Sequence, residues 1–183
     1  CIAGGAKVVE FVNRGPGALE VFSKLESASQ KDFPDAILGV GSIVDAPTAA
    51  LFIAAGANFI VGPCFDHDVV TLCNKRKIPY MPGCATVTEI HQAHAAGVEI
   101  CKLFPGGEVG GPSFVKAVLG PMPFASLMPT GGVSPTRESL TAWFDAGITM
   151  CGMGSKLITK EIIATKNYDA LTQTVKDTIA LIQ

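Results

Sequence analysis

Short apolar runs alternate with longer amphipathic stretches along almost the whole chain. The short runs end at Gly or Pro, which predicts buried strands, whereas the longer stretches have the spacing of helices. Strands are predicted at residues 7–12, 37–39, 58–61, 79–81, 99–104, 126–128 and 149–152. Helices are predicted at residues 18–27, 46–55, 66–74, 86–96, 112–119, 136–146 and 168–181. This alternation indicates an α/β protein with parallel strands.

The ends of the helical stretches support this interpretation. A small residue followed by glycine precedes an apolar run at Gly5, Gly56, Gly97 and Gly147. Glycine just past a helix end adopts the left-handed conformation that closes the last turn, so these four glycines are predicted to be caps.

The 183 residues contain no linker or low-complexity stretch, which predicts a single domain over residues 1–183. Seven strand–helix units are one fewer than a (β/α)8 barrel requires. The pattern therefore predicts either a barrel whose first unit is missing from this chain or an open, doubly wound sheet.

Composition narrows the class of ligand and the compartment. A net charge of −2 with 16% charged residues offers no basis for binding nucleic acid or an anionic membrane, which favours a small soluble substrate. The 48% hydrophobic content favours burial between subunits. Six cysteines without CxxC spacing indicate reduced thiols and a cytoplasmic protein. The uncharged stretch 46–65 contains Pro and Gly, so it is interpreted as a helix and a strand instead of a membrane span.

A lysine in an apolar strand is the first candidate for chemistry. Lys102 lies in the run 98–107, which stops at Pro105-Gly106-Gly107. Burial disfavours the ammonium form, so the pKa of Lys102 should be lowered, and a free amine attacks carbonyls to form Schiff bases. The alternative is a lysine at a strand end whose ammonium group reaches solvent.

Charged residues also follow the first strand. Alternation puts Glu10 on the face of Val8 and Val12, with Arg14 just beyond on the same side. A carboxylate among valines should have a raised pKa, which suits a general acid or base, and arginine suits a bidentate grip on a carboxylate. A structural Glu10–Arg14 ion pair is the alternative.

Two glycine-rich loops follow the last two predicted strands. They are Pro129-Thr130-Gly131-Gly132-Val133-Ser134 and Gly152-Met153-Gly154-Ser155. Glycines allow backbone N–H groups to approach an anion, and barrels frequently bind phosphate at these positions, so the loops are candidate phosphate sites or ordinary turns. By contrast, His67, His91 and His94 form no cluster with carboxylates or cysteines, so no metal site is predicted.

Together, these motifs resemble the family of 2-keto-3-deoxy-6-phosphogluconate (KDPG) and 4-hydroxy-2-oxoglutarate (KHG) aldolases. The resemblance covers nearly all of the chain, from Ile2 to Ile158. It is carried, in order, by Val9-Glu10-Phe11-Val12-Asn13-Arg14, Gly39-Val40-Gly41-Ser42, Gly62-Pro63, Pro79–Thr86, Lys102-Leu103-Phe104-Pro105, Pro129–Pro135 and Gly154-Ser155.

The resemblance implies a (β/α)8 barrel, usually a homotrimer, with Schiff-base chemistry and neither cofactor nor metal. It further implies that Lys102 forms the Schiff base, Glu10 acts as general acid and base, and Arg14 binds the substrate carboxylate. Ser42, Pro63 and Thr130 would line the pyruvate pocket. Gly131, Gly132 and Ser155 would bind the phosphate of phosphorylated substrates. The family's first strand and helix have no counterpart in the chain as given, and the family commonly has threonine where Ser42 stands.

The function expected from the resemblance is cleavage of a 2-keto-3-deoxy-6-phospho sugar acid, KDPG first, to pyruvate and glyceraldehyde 3-phosphate. KHG is a further expected substrate. Two alternatives stay open from the residues. One is a phosphate-binding barrel isomerase in which Lys102 acts only through its charge. The other is a non-catalytic module whose apolar faces form an oligomer.

Overall fold

The computed structural model of the chain describes residues 1–182. The chain divides into two compact units, one of Lys7–Lys102 and one of Cys1–Ala6 with Leu103–Gln183. Each unit is described by itself.

The unit of Lys7–Lys102 is built from parallel strands and intervening helices. Its main sheet has the order β1-β2-β3-β4, with every pair parallel. The strands are β1 (Val8–Val12), β2 (Ile37–Gly41), β3 (Ile60–Val61), β4 (Tyr80–Met81), β5 (Gly83–Cys84) and β6 (Ile100–Leu103), whose last residue is the first of the other unit. The helices are α1 (Ala18–Asp32), α2 (Ala46–Ala54), α3 (His67–Arg76) and α4 (Val87–Ala95).

Side-chain caps fix where three of these helices begin. The carboxylates of Asp45 and Asp66 accept N–H groups of the first turns of α2 and α3. Helix α4 begins with a full capping box, in which Thr86 Oγ1 accepts the Glu89 N–H at 3.2 Å and Glu89 Oε2 accepts the Thr86 N–H at 2.9 Å. Each of these three helices therefore begins at a residue that its own side-chain cap defines.

Among its described residues, the second unit contains one main strand and four helices. These are α5 (Gly111–Leu119), β7 (Ser126–Pro129), α6 (Arg137–Phe144), α7 (Lys160–Thr165) and α8 (Tyr168–Ala180). Within this unit, the N–H of Thr130, just after β7, donates to the Leu103 carbonyl at 3.0 Å. A short 3₁₀ turn, Ile2–Gly4, packs on α8 so closely that a Cβ at Gly4 would lie 2.7 Å from Val175 Cβ.

The predicted α/β class with parallel strands is confirmed, as are the first six strands and the seven helices. All four predicted glycine caps have positive φ, 101° at Gly5, 100° at Gly56, 90° at Gly97 and 100° at Gly147. The last predicted strand is wrong. Residues 149–152 make single hydrogen bonds to β7 and one bridge, from Gly152 to Thr130.

Strand β5 and helix α7 were not predicted from the sequence. Closure of the barrel and a single domain stay predictions. Strand β5 is only two residues long and stands in a Pro-Gly sequence typical of a turn. Helix α7 has six residues, too few to establish a period. In the part of the chain that is described, no helix has both the length and the apolar character needed to cross a bilayer.

Candidate active site

Lys102 is buried in β6. The strand places it between Cys101 and Leu103, which are both fully buried, and its backbone N–H donates to the Pro82 carbonyl at 2.9 Å. Only 6% of the residue is exposed, although Lys is almost never buried without a specific reason. This burial contradicts the alternative in which the ammonium group reaches solvent.

Glu10 lies in the middle of β1 and its carboxylate extends over the end of β2. The register pairs Glu10 with Gly39 and Val12 with Gly41. A Cβ added at Gly41 would overlap the Glu10 carboxylate, with its Cδ only 2.6 Å away. The missing side chain at Gly41 therefore creates the space that the carboxylate occupies.

Glu10, Arg14 and Lys102 influence one another electrostatically. Burial raises the pKa of Glu10, while the positive charges of Lys102 and Arg14 oppose that rise. Burial lowers the pKa of Lys102; the charge of Glu10 opposes this shift, and the charge of Arg14 adds to it. Both directions agree with the sequence-based predictions. An amine with a lowered pKa and a carboxyl group with a raised pKa are suited to nucleophilic attack and proton transfer near neutral pH.

Two further predicted pocket residues follow strands of the same unit. Ser42 comes directly after β2 and has a left-handed backbone, with φ 62°. Such a conformation is uncommon for residues other than glycine and concentrates at functional sites. Pro63 follows β3, and its carbonyl lies against Gly83, where a Cβ would overlap it. Both residues therefore lie just beyond the carboxyl ends of parallel strands, where α/β proteins hold their ligands.

The remaining predicted residues belong to the other unit. Gly131 and Gly132 have φ 86° and 80°, a conformation that side chains rarely adopt. Thr130 precedes them, and its Oγ1 is buried without a hydrogen-bond partner among residues 1–182. Ser155 is exposed, in a turn where the Gly154 carbonyl accepts the N–H groups of residues 157 and 158. Thr130 and the two glycines thus form one loop, and Ser155 lies on a separate turn.

Side chains that bind metals form no group of three or more within the described residues. His67 and His91 line one cleft of about 450 Å³, with Gln92 and two alanines. Two imidazoles provide fewer protein ligands than zinc normally requires.

Sequence reasoning missed the residues that act through their backbone or through small size. Gly41 provides space for Glu10, and Gly106 and Gly107 donate backbone hydrogen bonds to the Thr130 and Gly131 carbonyls. Trp143 is buried and donates its indole N–H to the Gly132 carbonyl at 3.4 Å. The glycines appeared in the sequence only as turn signals, so their contacts were not predictable from it.

Parallel strands that carry a buried lysine near the end of β6 and a half-buried glutamate in β1, both with shifted pKa values, are typical of an α/β enzyme. Residues 1–174 match the family described as KDPG and KHG aldolase. The chain belongs to this family, whose members are aldolases and hence lyases.

Individual relatives agree with this assignment. The chain is 32% identical over 179 residues to the 2-dehydro-3-deoxy-phosphogluconate aldolase of Pseudoalteromonas atlantica, covering 98% of this chain and 80% of that one. It is 28% identical to the KHG/KDPG aldolase of Escherichia coli, covering 97% and 81%.

A solved structure gives the same result for the fold. The KDPG aldolase of Legionella pneumophila, with pyruvate captured as a covalent carbinolamine intermediate, matches with a TM-score of 0.84 and 27% identity. The match covers 97% of this chain and 83% of that one.

Proposed function

We propose that this chain is a class I aldolase that cleaves KDPG to pyruvate and glyceraldehyde 3-phosphate through a Schiff base on Lys102. The observation that carries the proposal is the buried Lys102, whose pKa is lowered by burial although the charge of nearby Glu10 opposes that shift. The covalent pyruvate carbinolamine in the Legionella relative is chemistry of the same kind. KHG, which the Escherichia coli relative is named for, is proposed as a second substrate.

The first steps use the Lys102 amine. Its nitrogen lone pair attacks C2 of the keto acid, and the resulting carbinolamine loses water to form an iminium ion. Glu10, acting through a water molecule, takes the proton of the C4 hydroxyl group. The C3–C4 bond then breaks, its electrons move to the iminium nitrogen to form an enamine, and the aldehyde leaves.

The last steps regenerate the enzyme. The enamine carbon takes back a proton, which restores the iminium ion, and water hydrolyses it to pyruvate and the free amine. The raised pKa of Glu10 suits both directions of proton transfer, because its protonated and ionised forms are then closer in population near neutral pH.

The other residues are assigned to substrate binding. We propose that Arg14 binds the carboxylate, since its guanidinium can form two parallel hydrogen bonds with one. Ser42, Pro63 and Thr130 are proposed to line the pyruvate pocket. Gly131, Gly132 and Ser155 are proposed to bind the phosphate. For the phosphate, the positive φ of both glycines supports the proposal, because it permits the backbone to approach an anion closely.

Assembly and compartment are also proposed. A homotrimer agrees with the large apolar content and with exposed apolar side chains such as Val21, Leu51 and Phe124. Six free cysteines support a location in the reducing cytoplasm.

Borohydride trapping tests the central claim. Reduction in the presence of pyruvate should leave a stable adduct that peptide mapping assigns to Lys102, and Lys102→Ala should leave none. Glu10→Gln should slow cleavage roughly 10²–10⁴-fold while the adduct still forms. A folded wild-type protein without an adduct would instead support the isomerase or the assembly module, and cleavage of KDPG by Lys102→Ala would contradict the mechanism.

A further inference from the structure

The loop between β3 and α3, residues 62–65, is called the β3 loop below. It carries Pro63, which is proposed to line the pyruvate pocket, and it leads to Asp66, whose carboxylate caps α3. Its first residue is bonded to the sheet, because the N–H of Gly62 donates to the Met81 carbonyl at 3.1 Å. The groups that hold the rest of the loop therefore determine where Pro63 lies.

A buried tyrosine hydroxyl holds the middle of the β3 loop. Tyr80 lies in β4 and is only 5% exposed. Its hydroxyl donates a hydrogen bond to the Cys64 carbonyl at 3.0 Å. Cys64 follows Pro63 directly in the chain, so this bond fixes the backbone one residue beyond the proline.

The hydroxyl reaches the loop because position 62 has no side chain. A Cβ added at Gly62 would lie 2.8 Å from the Tyr80 phenol oxygen and 2.8 Å from the Cys64 carbonyl oxygen, which are the two atoms of the hydrogen bond. Real Cβ atoms essentially never come closer than 3.0 Å to such atoms. The φ of Gly62 lies outside the left-handed region, so glycine provides space here and not a special backbone conformation.

The backbone of β5 also contacts the β3 loop. A Cβ added at Gly83 would overlap the Pro63 carbonyl and would lie 3.0 Å from the Cys64 nitrogen. The peptide group that joins Pro63 to Cys64 therefore lies directly against β5. Together, this contact and the hydrogen bond from Tyr80 restrict the position of the proline ring.

The phenol of Tyr80 remains a hydrogen-bond donor at neutral pH. Burial raises its pKa above the ordinary value of 10.0, and a backbone hydrogen bond from Asp66 opposes that rise without cancelling it. Only the protonated phenol can donate to a carbonyl oxygen. The bond to Cys64 should therefore persist through neutral and mildly alkaline pH.

We propose that Tyr80 is a positioning residue whose hydroxyl holds the β3 loop so that Pro63 packs against the bound keto acid. This inference rests on the proposed function, which assigns Pro63 to the pyruvate pocket. The hydroxyl is engaged by the Cys64 carbonyl, so Tyr80 acts through the loop and takes no part in the chemistry. Loss of the hydroxyl should therefore weaken pyruvate binding and leave the reactions of Lys102 and Glu10 intact at saturation.

Tyr80→Phe tests this role, and Tyr168→Phe is its matched control. Both variants remove one phenol hydroxyl, but Tyr168 lies in α8 and is 61% exposed. In Tyr80→Phe, the pyruvate concentration that gives half-maximal borohydride trapping should rise about three- to tenfold, the usual effect of one lost hydrogen bond. The trapping rate at saturating pyruvate should change less than about twofold, because only binding is affected. Tyr168→Phe should change neither quantity.

The amide of Phe65 reports the hydrogen bond without any substrate. The Cys64 carbonyl and the Phe65 N–H belong to one planar peptide group, so a bond accepted by the carbonyl polarises that N–H. In ¹⁵N-labelled protein, Tyr80→Phe should shift the Phe65 amide signal and speed up its hydrogen exchange. Tyr168→Phe should leave both unchanged.

Gly62→Ala is a second variant, which keeps the hydroxyl and disturbs its bond. The new Cβ should force apart the phenol oxygen of Tyr80 and the carbonyl oxygen of Cys64, so pyruvate binding should weaken in the same manner. This variant decides the matter if Tyr80→Phe does not fold.

The outcomes separate the role of Tyr80 from the aldolase proposal. An unchanged pyruvate requirement in Tyr80→Phe, or a loss at saturating pyruvate as large as the loss of affinity, would overturn the positioning role. An unchanged Phe65 amide signal would overturn it as well. Absence of a pyruvate adduct on wild-type Lys102 would overturn the aldolase proposal, and the Phe65 signal would still test whether Tyr80 holds the β3 loop.

Discussion

Gly41→Ala should disable Glu10 without altering it chemically. The new Cβ would lie 2.6 Å from Glu10 Cδ, and ordinary contact begins near 3.4 Å, so the carboxyl carbon must move by about 0.8 Å. A displacement of about 1 Å in a catalytic group costs about 10²-fold in rate. The φ of Gly41 is outside the left-handed region, so alanine itself fits the strand. We expect kcat for KDPG cleavage to fall about 10²-fold.

The assay couples pyruvate release to lactate dehydrogenase and follows NADH absorbance. Imine trapping on Lys102 provides the control, since Gly41→Ala should leave it intact. A double variant tests whether the two changes act on the same group. Gly41→Ala combined with Glu10→Gln should be no slower than Glu10→Gln alone, because both changes act on one group. Additive losses, or wild-type kcat in Gly41→Ala, would refute the placement of Glu10 over Gly41 as the cause.

The charges around Lys102 predict opposite shifts in the pH dependence of pyruvate trapping. The charge of Glu10 raises the pKa of Lys102, so Glu10→Gln should move the midpoint of the trapping profile to lower pH. The charge of Arg14 lowers this pKa, so Arg14→Met should move the midpoint to higher pH. Arg76→Met, on the surface of α3, should leave the midpoint unchanged. Shifts in the same direction would contradict the assigned charge interactions. The capping box predicts that Thr86→Ala lowers the free energy of unfolding by about 1 kcal/mol in urea denaturation, whereas Thr86→Ser retains most of it. Equal stability of the two variants would argue against the cap.

Local signals in the sequence determined most of the secondary structure. The spacing of apolar residues, the helix caps and the glycines after helices depend only on neighbours a few residues away in the chain. Strands β1 to β4 and β6 and the turns at Gly56 and Gly97 could therefore be predicted. Lys102 and Glu10 were also identified this way, because a charged residue within an apolar strand is conspicuous in the sequence, and both pKa directions followed from burial.

Tertiary contacts decided what the local signals leave open. The stretch 149–152 has a strand-like composition, but it makes only isolated bonds to β7, since pairing depends on a neighbour and not on the stretch itself. Gly41 and Gly83 show the same dependence. At each position another group, the Glu10 carboxylate or the Pro63 carbonyl, lies where a side chain would be. Such approaches join residues distant in the chain, so the sequence shows the glycine, and only the folded structure shows the group that requires it.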